Sequence, residues 1–158
     1  MHRRLVLVWA GAGAGATGAV GAAPLPYDAS ADARAAIRAA LRTVGAGPRR
    51  VLVVFGANWC ADCRALDDSL KSGRNADLMA REFLVVKVDV GRFDRNLDVA
   101  KAYGDPIRQG IPAAVVLAAD ARVLYATQAG ELSSARRMSA TGVYDFFDGV
   151  ARSVRNAR

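Results

Sequence analysis

The sequence predicts an α/β fold, a mixed sheet with helices packed on both faces. Three observations lead there. Two short β-branched runs, Val51-Leu52-Val53-Val54-Phe55 and Leu84-Val85-Val86-Lys87-Val88-Asp89, are separated by a stretch of helical character, which is how parallel strands are joined. Two further strand-like runs, 113–118 and 122–127, are split only by a short turn around Asp120, so they form an antiparallel hairpin. Helical periodicity recurs near both ends of the chain.

In chain order, residues 30–44 read as an amphipathic helix. Ile37, Ala40, Leu41 and Val44 follow the i, i+3, i+4, i+7 spacing, while Arg34, Arg38 and Arg42 fall on another, solvated stripe. Asp28 or Ser30 is the expected cap and Gly45 the expected stop. Residues 45–50 make a turn. The run 51–55 is apolar throughout, as a central strand covered on both faces must be. Residues 61–71 are expected to be helical, with Ser72-Gly73 as an interruption and a second helical piece to Glu82. After the strand 84–89 come a charged loop, 91–96, and a short helix to Tyr103. The hairpin follows. Val143, Phe146, Phe147, Val150 and Val154 then mark one face of a final helix. No internal repeat is present.

The 158 residues, 53% apolar and 23% charged, suit one globular domain with a proper core. The first residues read separately. Met1-His2-Arg3-Arg4 is a basic start, an apolar run begins at Leu5, and Val20-Gly21-Ala22 fits a small-residue cleavage site. The expectation is a signal peptide over 1–22 and a single domain over 23–158, hence an exported, periplasmic protein. An uncleaved membrane anchor is the other reading of the uncharged stretch 5–27, which is long enough to span a bilayer; its glycines, and the clustering of strongly apolar residues at its start, speak against that. With Arg3 and Arg4 removed, 20 basic and 15 acidic residues remain, a net charge of +5. Solvated arginines with no specific partner account for this charge, an acidic partner being the alternative, and no interleaving of basic and aromatic residues points to nucleic acid. A monomer is expected.

Chemistry concentrates at Trp59-Cys60-Ala61-Asp62-Cys63, where the first strand hands over to a helix. These are the only two cysteines. With Cys60 at the helix N-terminus, its sulfur faces unpaired backbone N–H groups and the positive end of the helix dipole, and both favour thiolate. Thiolate is the attacking species. Cys63 lies one turn inside, on the same face, within reach of a mixed disulfide formed on Cys60. A structural bridge and half a metal site are the competing readings. The bridge would close a very small loop and stabilise little. Metal binding needs further ligands, yet there is no third cysteine and the one histidine, His2, falls in the expected signal. No metal and no cofactor beyond the Cys60–Cys63 disulfide are therefore expected.

Phe55-x-x-x-Trp59-Cys60-x-x-Cys63, then Lys87-Val88-Asp89, then Gly110-Ile111-Pro112 together resemble the thioredoxin superfamily, over roughly residues 51–154. The resemblance implies a thioredoxin-like three-layer α/β/α sandwich and a thiol–disulfide oxidoreductase acting on protein thiols and disulfides. It implies a cis bond between Ile111 and Pro112 beside the cysteines, where an ordinary strand-start proline is the alternative. The backbone of Ile111 would pair with an incoming peptide like an added strand, with Trp59 part of the surrounding apolar surface.

The sequence also departs from thioredoxin. Val54 stands where thioredoxin has a buried aspartate that helps move the proton off the second cysteine, although Lys87 matches the lysine that accompanies it. Ala61-Asp62 replaces Gly-Pro between the cysteines. Regions 91–96 and 130–142 look longer. The chain is closer to the exported thioredoxin-like proteins of bacteria than to the cytosolic reductant. A carboxylate at Asp62 disfavours a neighbouring thiolate and moves the potential in the reducing direction, with Arg64 offsetting part of the effect. Asp62 and Lys87 are candidates to take the Cys63 proton, Lys87 only if burial lowers its pKa, and water is the alternative. The resemblance implies that the chain around Gly130 approaches the active-site side, so Arg136 and Arg137, in the segment that follows, are either simply solvated or orient an acidic partner. The functional expectation is a protein-disulfide reductase of an oxidising compartment, which needs electrons from a membrane donor. The alternative is a thioredoxin-like peptide-binding module without redox turnover.

Overall fold

The computed structural model describes residues 24–155; the expected signal peptide lies outside them. The first helix, α1 (Ala33–Val44), begins three residues later than its periodicity suggests. The reason is the cap. Asp32, not Asp28 or Ser30, accepts the N–H of Ala35 at 2.9 Å. The Asp28 carboxylate is instead occupied by the N–H and hydroxyl of Ser30, which holds a turn ahead of the helix. Gly45, at φ +45°, ends the helix by donating its N–H to the Leu41 carbonyl.

Then follow β1 (Arg50–Gly56), α2 (Ala61–Leu70), α3 (Gly73–Glu82), β2 (Phe83–Asp89), α4 (Leu97–Ala102), β3 (Ala113–Leu117), β4 (Val123–Ala126) and α5 (Ala140–Arg155). The sheet runs β2-β1-β3-β4. β1 is parallel to β2 and antiparallel to β3, and β3 and β4 form the antiparallel hairpin. The sheet is mixed, as the alternation of runs required.

Strand alternation divides the core in two. Val51, Val53 and Phe55 point to one face, where they pack with Ile37, Ala40 and Val44 of α1 and with Val99 and Ala100 of α4. Leu52 and Val54 point to the other, against Leu66 and Leu70 of α2, Leu78 of α3 and Phe147 and Val150 of α5. β1 is therefore buried on both faces and on both edges, which explains its unbroken apolar run. Its C-terminal end delivers the chain to the start of α2, next to the loop that enters β3. Among the described residues, no helix is long and apolar enough to cross a membrane.

Candidate active site

Cys60 is the N-cap residue of α2, in extended backbone conformation, and its sulfur accepts the N–H of Cys63 at 3.2 Å. Cys63 lies in the first turn. The two sulfurs are joined as a disulfide, with Cα atoms 5.2 Å apart. A sulfur in the cap position replaces the usual hydroxyl or carboxylate acceptor, so one of the helix's orphan N–H groups is aimed at it. Cys63 is completely buried and Cys60 nearly so.

The Ile111–Pro112 peptide bond is cis. It sets the Ile111 carbonyl oxygen 3.8 Å from Cys60 Sγ, while the Ile111 side chain is turned into the core. Trp59 stands beside the disulfide, 49% exposed. Its indole N–H donates to the Gly91 carbonyl at 2.8 Å, which ties the charged loop to the cysteine loop. Phe93 meets the Trp59 ring edge-on at 6.5 Å, and the Arg92 guanidinium lies 5.8 Å from the centre of that ring. Phe93 is itself exposed. Between it and Gly110 runs an open groove of about 540 Å³, lined also by Leu97, Lys101, Ile107 and Arg108. The sequence-predicted residues Trp59, Cys60, Cys63, Ile111 and Pro112 thus converge on one end of the sheet.

Asp62 and Lys87 sit apart from each other. Asp62 accepts the backbone N–H of Arg136 at 3.0 Å, with the Arg136 guanidinium 3.7 Å away. Arg136, rather than Arg64, is therefore the cation at Asp62. The segment 135–137 is held against the first turn of α2 by these contacts.

Lys87, on β2, lies beside Val54 in the sheet register and forms an ion pair with Asp67. Asp67 is 5% exposed and also pairs with Lys71 at 2.6 Å. Burial lowers the Lys87 ammonium pKa to about 8; the carboxylate partner favours the charged form. Where the thioredoxin pattern takes its buried acid from the central strand, this chain supplies one from α2, four residues after Cys63. That spacing puts Asp67 on the helix face of Cys63 and is legible in the sequence.

Tyr27 is the residue that sequence reasoning missed outright. It is 2% exposed, and the side-chain amide of Asn58 clamps its backbone at both ends. Asn58 Oδ1 accepts the Tyr27 N–H at 3.0 Å, and Asn58 Nδ2 donates to the Tyr27 carbonyl at 2.7 Å. The ring lies over Gly56, where an added Cβ would overlap the phenol hydroxyl and come within 3.0 Å of Cys63 Sγ. The Lys87 ammonium is 5.8 Å from the ring centre. Among the described residues, no group of three or more His, Cys, Asp or Glu is placed to hold a metal.

The thioredoxin-like family matches residues 32–119, more than half the chain and inclusive of both cysteines and the cis-proline loop. The chain belongs to the thioredoxin-like family. Among solved structures, it is similar to a disulphide isomerase from Xylella fastidiosa Temecula1, at 53% identity and a TM-score of 0.79, over 82% of this chain and 98% of that one. It is also similar to the oxidised C-terminal domain of DsbD from Neisseria meningitidis, at 24% identity and a TM-score of 0.47, over 61% of this chain and 82% of that one. No curated protein matches. A thioredoxin-like domain whose two cysteines close to a disulfide at a helix N-terminus has the equipment of a thiol–disulfide oxidoreductase.

Proposed function

We propose that this protein is an exported thiol–disulfide oxidoreductase that reduces disulfides in other proteins through Cys60 and Cys63. The observation that carries the reading is the Cys60–Cys63 disulfide at the start of α2, with the Cys60 sulfur in the N-cap position. In the reduced protein the Cys63 N–H and the helix dipole stabilise a thiolate at Cys60. That thiolate attacks one sulfur of a substrate disulfide, releasing the other as a thiol and leaving a mixed disulfide. Cys63 then attacks the Cys60 sulfur, the bond to the substrate breaks, and the Cys60–Cys63 disulfide forms. Two electrons pass to the substrate.

Substrate positioning follows from the surroundings. An extended peptide lies along the Ile111 backbone, with Trp59 and Phe93 as its apolar flank. The 53% identity to a disulphide isomerase over nearly the whole of that chain supports catalysis on protein disulfides. The reducing direction rests on the acidic Asp62 and on the absence of a basic residue between the cysteines. Because an exported compartment is oxidising, the spent disulfide takes its electrons from a membrane donor. Residues 1–22 are the signal that directs export, and no further cofactor takes part.

Reduction of insulin disulfides by the dithiol protein, with Cys60→Ser as control, tests the reading. Turnover is expected from the parent and none above background from the variant. Equal, background rates for both would leave a peptide-binding module whose cysteines are merely oxidised.

A further inference from the structure

The resolving thiol has a problem that the fold must solve. Cys63 is completely buried, and burial disfavours a thiolate. Val54 brings no polar group to it. The Tyr27 hydroxyl does approach it, sharing with Cys63 Sγ the small space above the Gly56 α-carbon. Both hydrogen bonds that Tyr27 makes among the described residues use its backbone, to Asn58. Among the described residues the hydroxyl itself makes no hydrogen bond in the disulfide state.

We propose that the Tyr27 hydroxyl donates a hydrogen bond to the Cys63 sulfur when the disulfide opens, and so stabilises the thiolate that resolves the mixed disulfide. The inference rests on the reading of Cys63 as the resolving thiol. Three features make the site a built one. Asn58, one residue before Trp59, fixes the Tyr27 backbone from both sides. Gly56 leaves room where any side chain would strike the phenol. The ring is enclosed, so the hydroxyl is presented in a low-dielectric setting, where a bond to a charged acceptor is strongest.

Tyr27 keeps its own proton throughout. Burial first, and the Asp89 carboxylate second, raise the phenol above its ordinary value, so it acts as a donor and not as a base. In the step itself the Cys63 thiol loses its proton to solvent and the thiolate attacks Cys60 Sγ. The Sγ–Sγ bond forms, the bond from Cys60 to the substrate sulfur breaks, and the departing substrate thiolate takes up a proton. The charged groups around the ring are Lys87 and Asp89 on β2, Asp67 on α2, which pairs with Lys87, and Arg95, which bonds Asp89 at 3.2 Å. Lys87 places a positive charge 5.8 Å from the ring centre, paired with Asp67. Asp89 opposes the thiolate and is partly offset by Arg95.

The test uses reduced protein mixed with 5,5′-dithiobis(2-nitrobenzoate) and followed by stopped flow. Attack by Cys60 releases one thionitrobenzoate, and attack by Cys63 on the resulting mixed disulfide releases a second. For Tyr27→Phe the first phase is expected to be unchanged. The second is expected to slow about tenfold at neutral pH, the loss of one hydrogen bond to a charged acceptor, with its pH midpoint raised by about one unit. A second phase with unchanged rate and midpoint overturns the proposal, as does equal slowing of both phases, which a structural role would give. A protein with no second release at all fails the Cys63 reading instead. Should Tyr27→Phe not fold, the carbon-13 chemical shift of Cys63 Cβ is titrated in the reduced parent. A pKa at or below the ordinary thiol value of about 8.5 is expected despite complete burial, and a value well above it overturns the proposal.

Discussion

Replacing Asp67 by Asn keeps the shape of the side chain and removes the charge that Lys87 faces. Truncating one partner of a buried ion pair usually costs about 3–5 kcal/mol, because the other charge stays buried and unpaired. Here the loss has a ceiling, since Lys87 can release its proton. Its ammonium is held at about 8. At pH 7 the neutral lysine therefore lies only about 1.4 kcal/mol above the charged one, one pH unit at ~1.36 kcal/mol per unit. An amide at position 67 tolerates a neutral amine no worse than a buried carboxylate does, so the penalty at pH 7 stays near or below that ~1.4 kcal/mol. The substitution lowers the folded-state pKa of Lys87 further and leaves the unfolded value, about 10.4, alone. Below pH 8 the folded variant then binds fewer protons than the folded parent. The parent's advantage is largest at low pH, with a ceiling of about 2.7 kcal/mol at pH 6, and closes as pH rises through 8. Lys71, the other partner of Asp67, is 62% exposed and contributes tenths of a kcal/mol. Urea unfolding of the oxidised parent and Asp67→Asn, at about pH 6, 7 and 8.5, measures the difference directly. A loss of about 3 kcal/mol or more that is the same at all three pH values refutes the reasoning.

Other perturbations have equally definite outcomes. Gly56→Ala drives a methyl group into the Tyr27 hydroxyl and is expected to cost about 1–3 kcal/mol in thermal or urea unfolding; a neutral result would mean that the Tyr27 ring is not seated over Gly56. Asp62→Asn is expected to lower the Cys60 pKa and to raise the reduction potential, measured by equilibration with a glutathione couple. Because Arg136 already faces that carboxylate, the shift should fall below the roughly 20 mV that ~1 kcal/mol represents for a two-electron couple, and a shift in the reducing direction would contradict the charge argument. Trp59→Ala removes an exposed ring and its bond to Gly91. It is expected to raise KM for a peptide disulfide several-fold while leaving the rate with a small aromatic disulfide unchanged; equal effects on both would deny Trp59 a role in binding peptides.

Much of this was written in local pattern. The β-branched runs marked β1 and β2, the split at Ser72-Gly73 separated α2 from α3, and the short turn at Asp120 marked the hairpin, because each signal sits within the element it specifies. The start of α1 was misplaced because Asp28, Ser30 and Asp32 are all plausible caps, and only the geometry shows that Asp28 is engaged by Ser30. The cysteine pair was legible for the same reason, its two residues lying one helical turn apart, whereas Trp59 and Ile111-Pro112 were brought to it only by the resemblance to the thioredoxin superfamily. What escaped was long-range. Tyr27 reaches Cys63 from 36 positions away, through a clamp by Asn58 that no periodicity encodes. Arg136 meets Asp62 from 74 positions away. Asp67 lay within reach of sequence reasoning, since its i+4 spacing from Cys63 is visible, yet its ion pair with Lys87 depends on how α2 crosses β2.

The central claim is that Cys60 attacks protein disulfides and Cys63 resolves them. Trapping tests it most directly. A reduced Cys63→Ser protein, incubated with oxidised insulin and separated without reductant, is expected to accumulate a mixed disulfide that peptide mass spectrometry assigns to Cys60 and that dithiothreitol releases. The parent should pass through that species without accumulating it and end as the Cys60–Cys63 disulfide with reduced insulin. If Cys63→Ser forms no adduct, or the parent accumulates as much as the variant does, the cysteine pair does not act as this account requires.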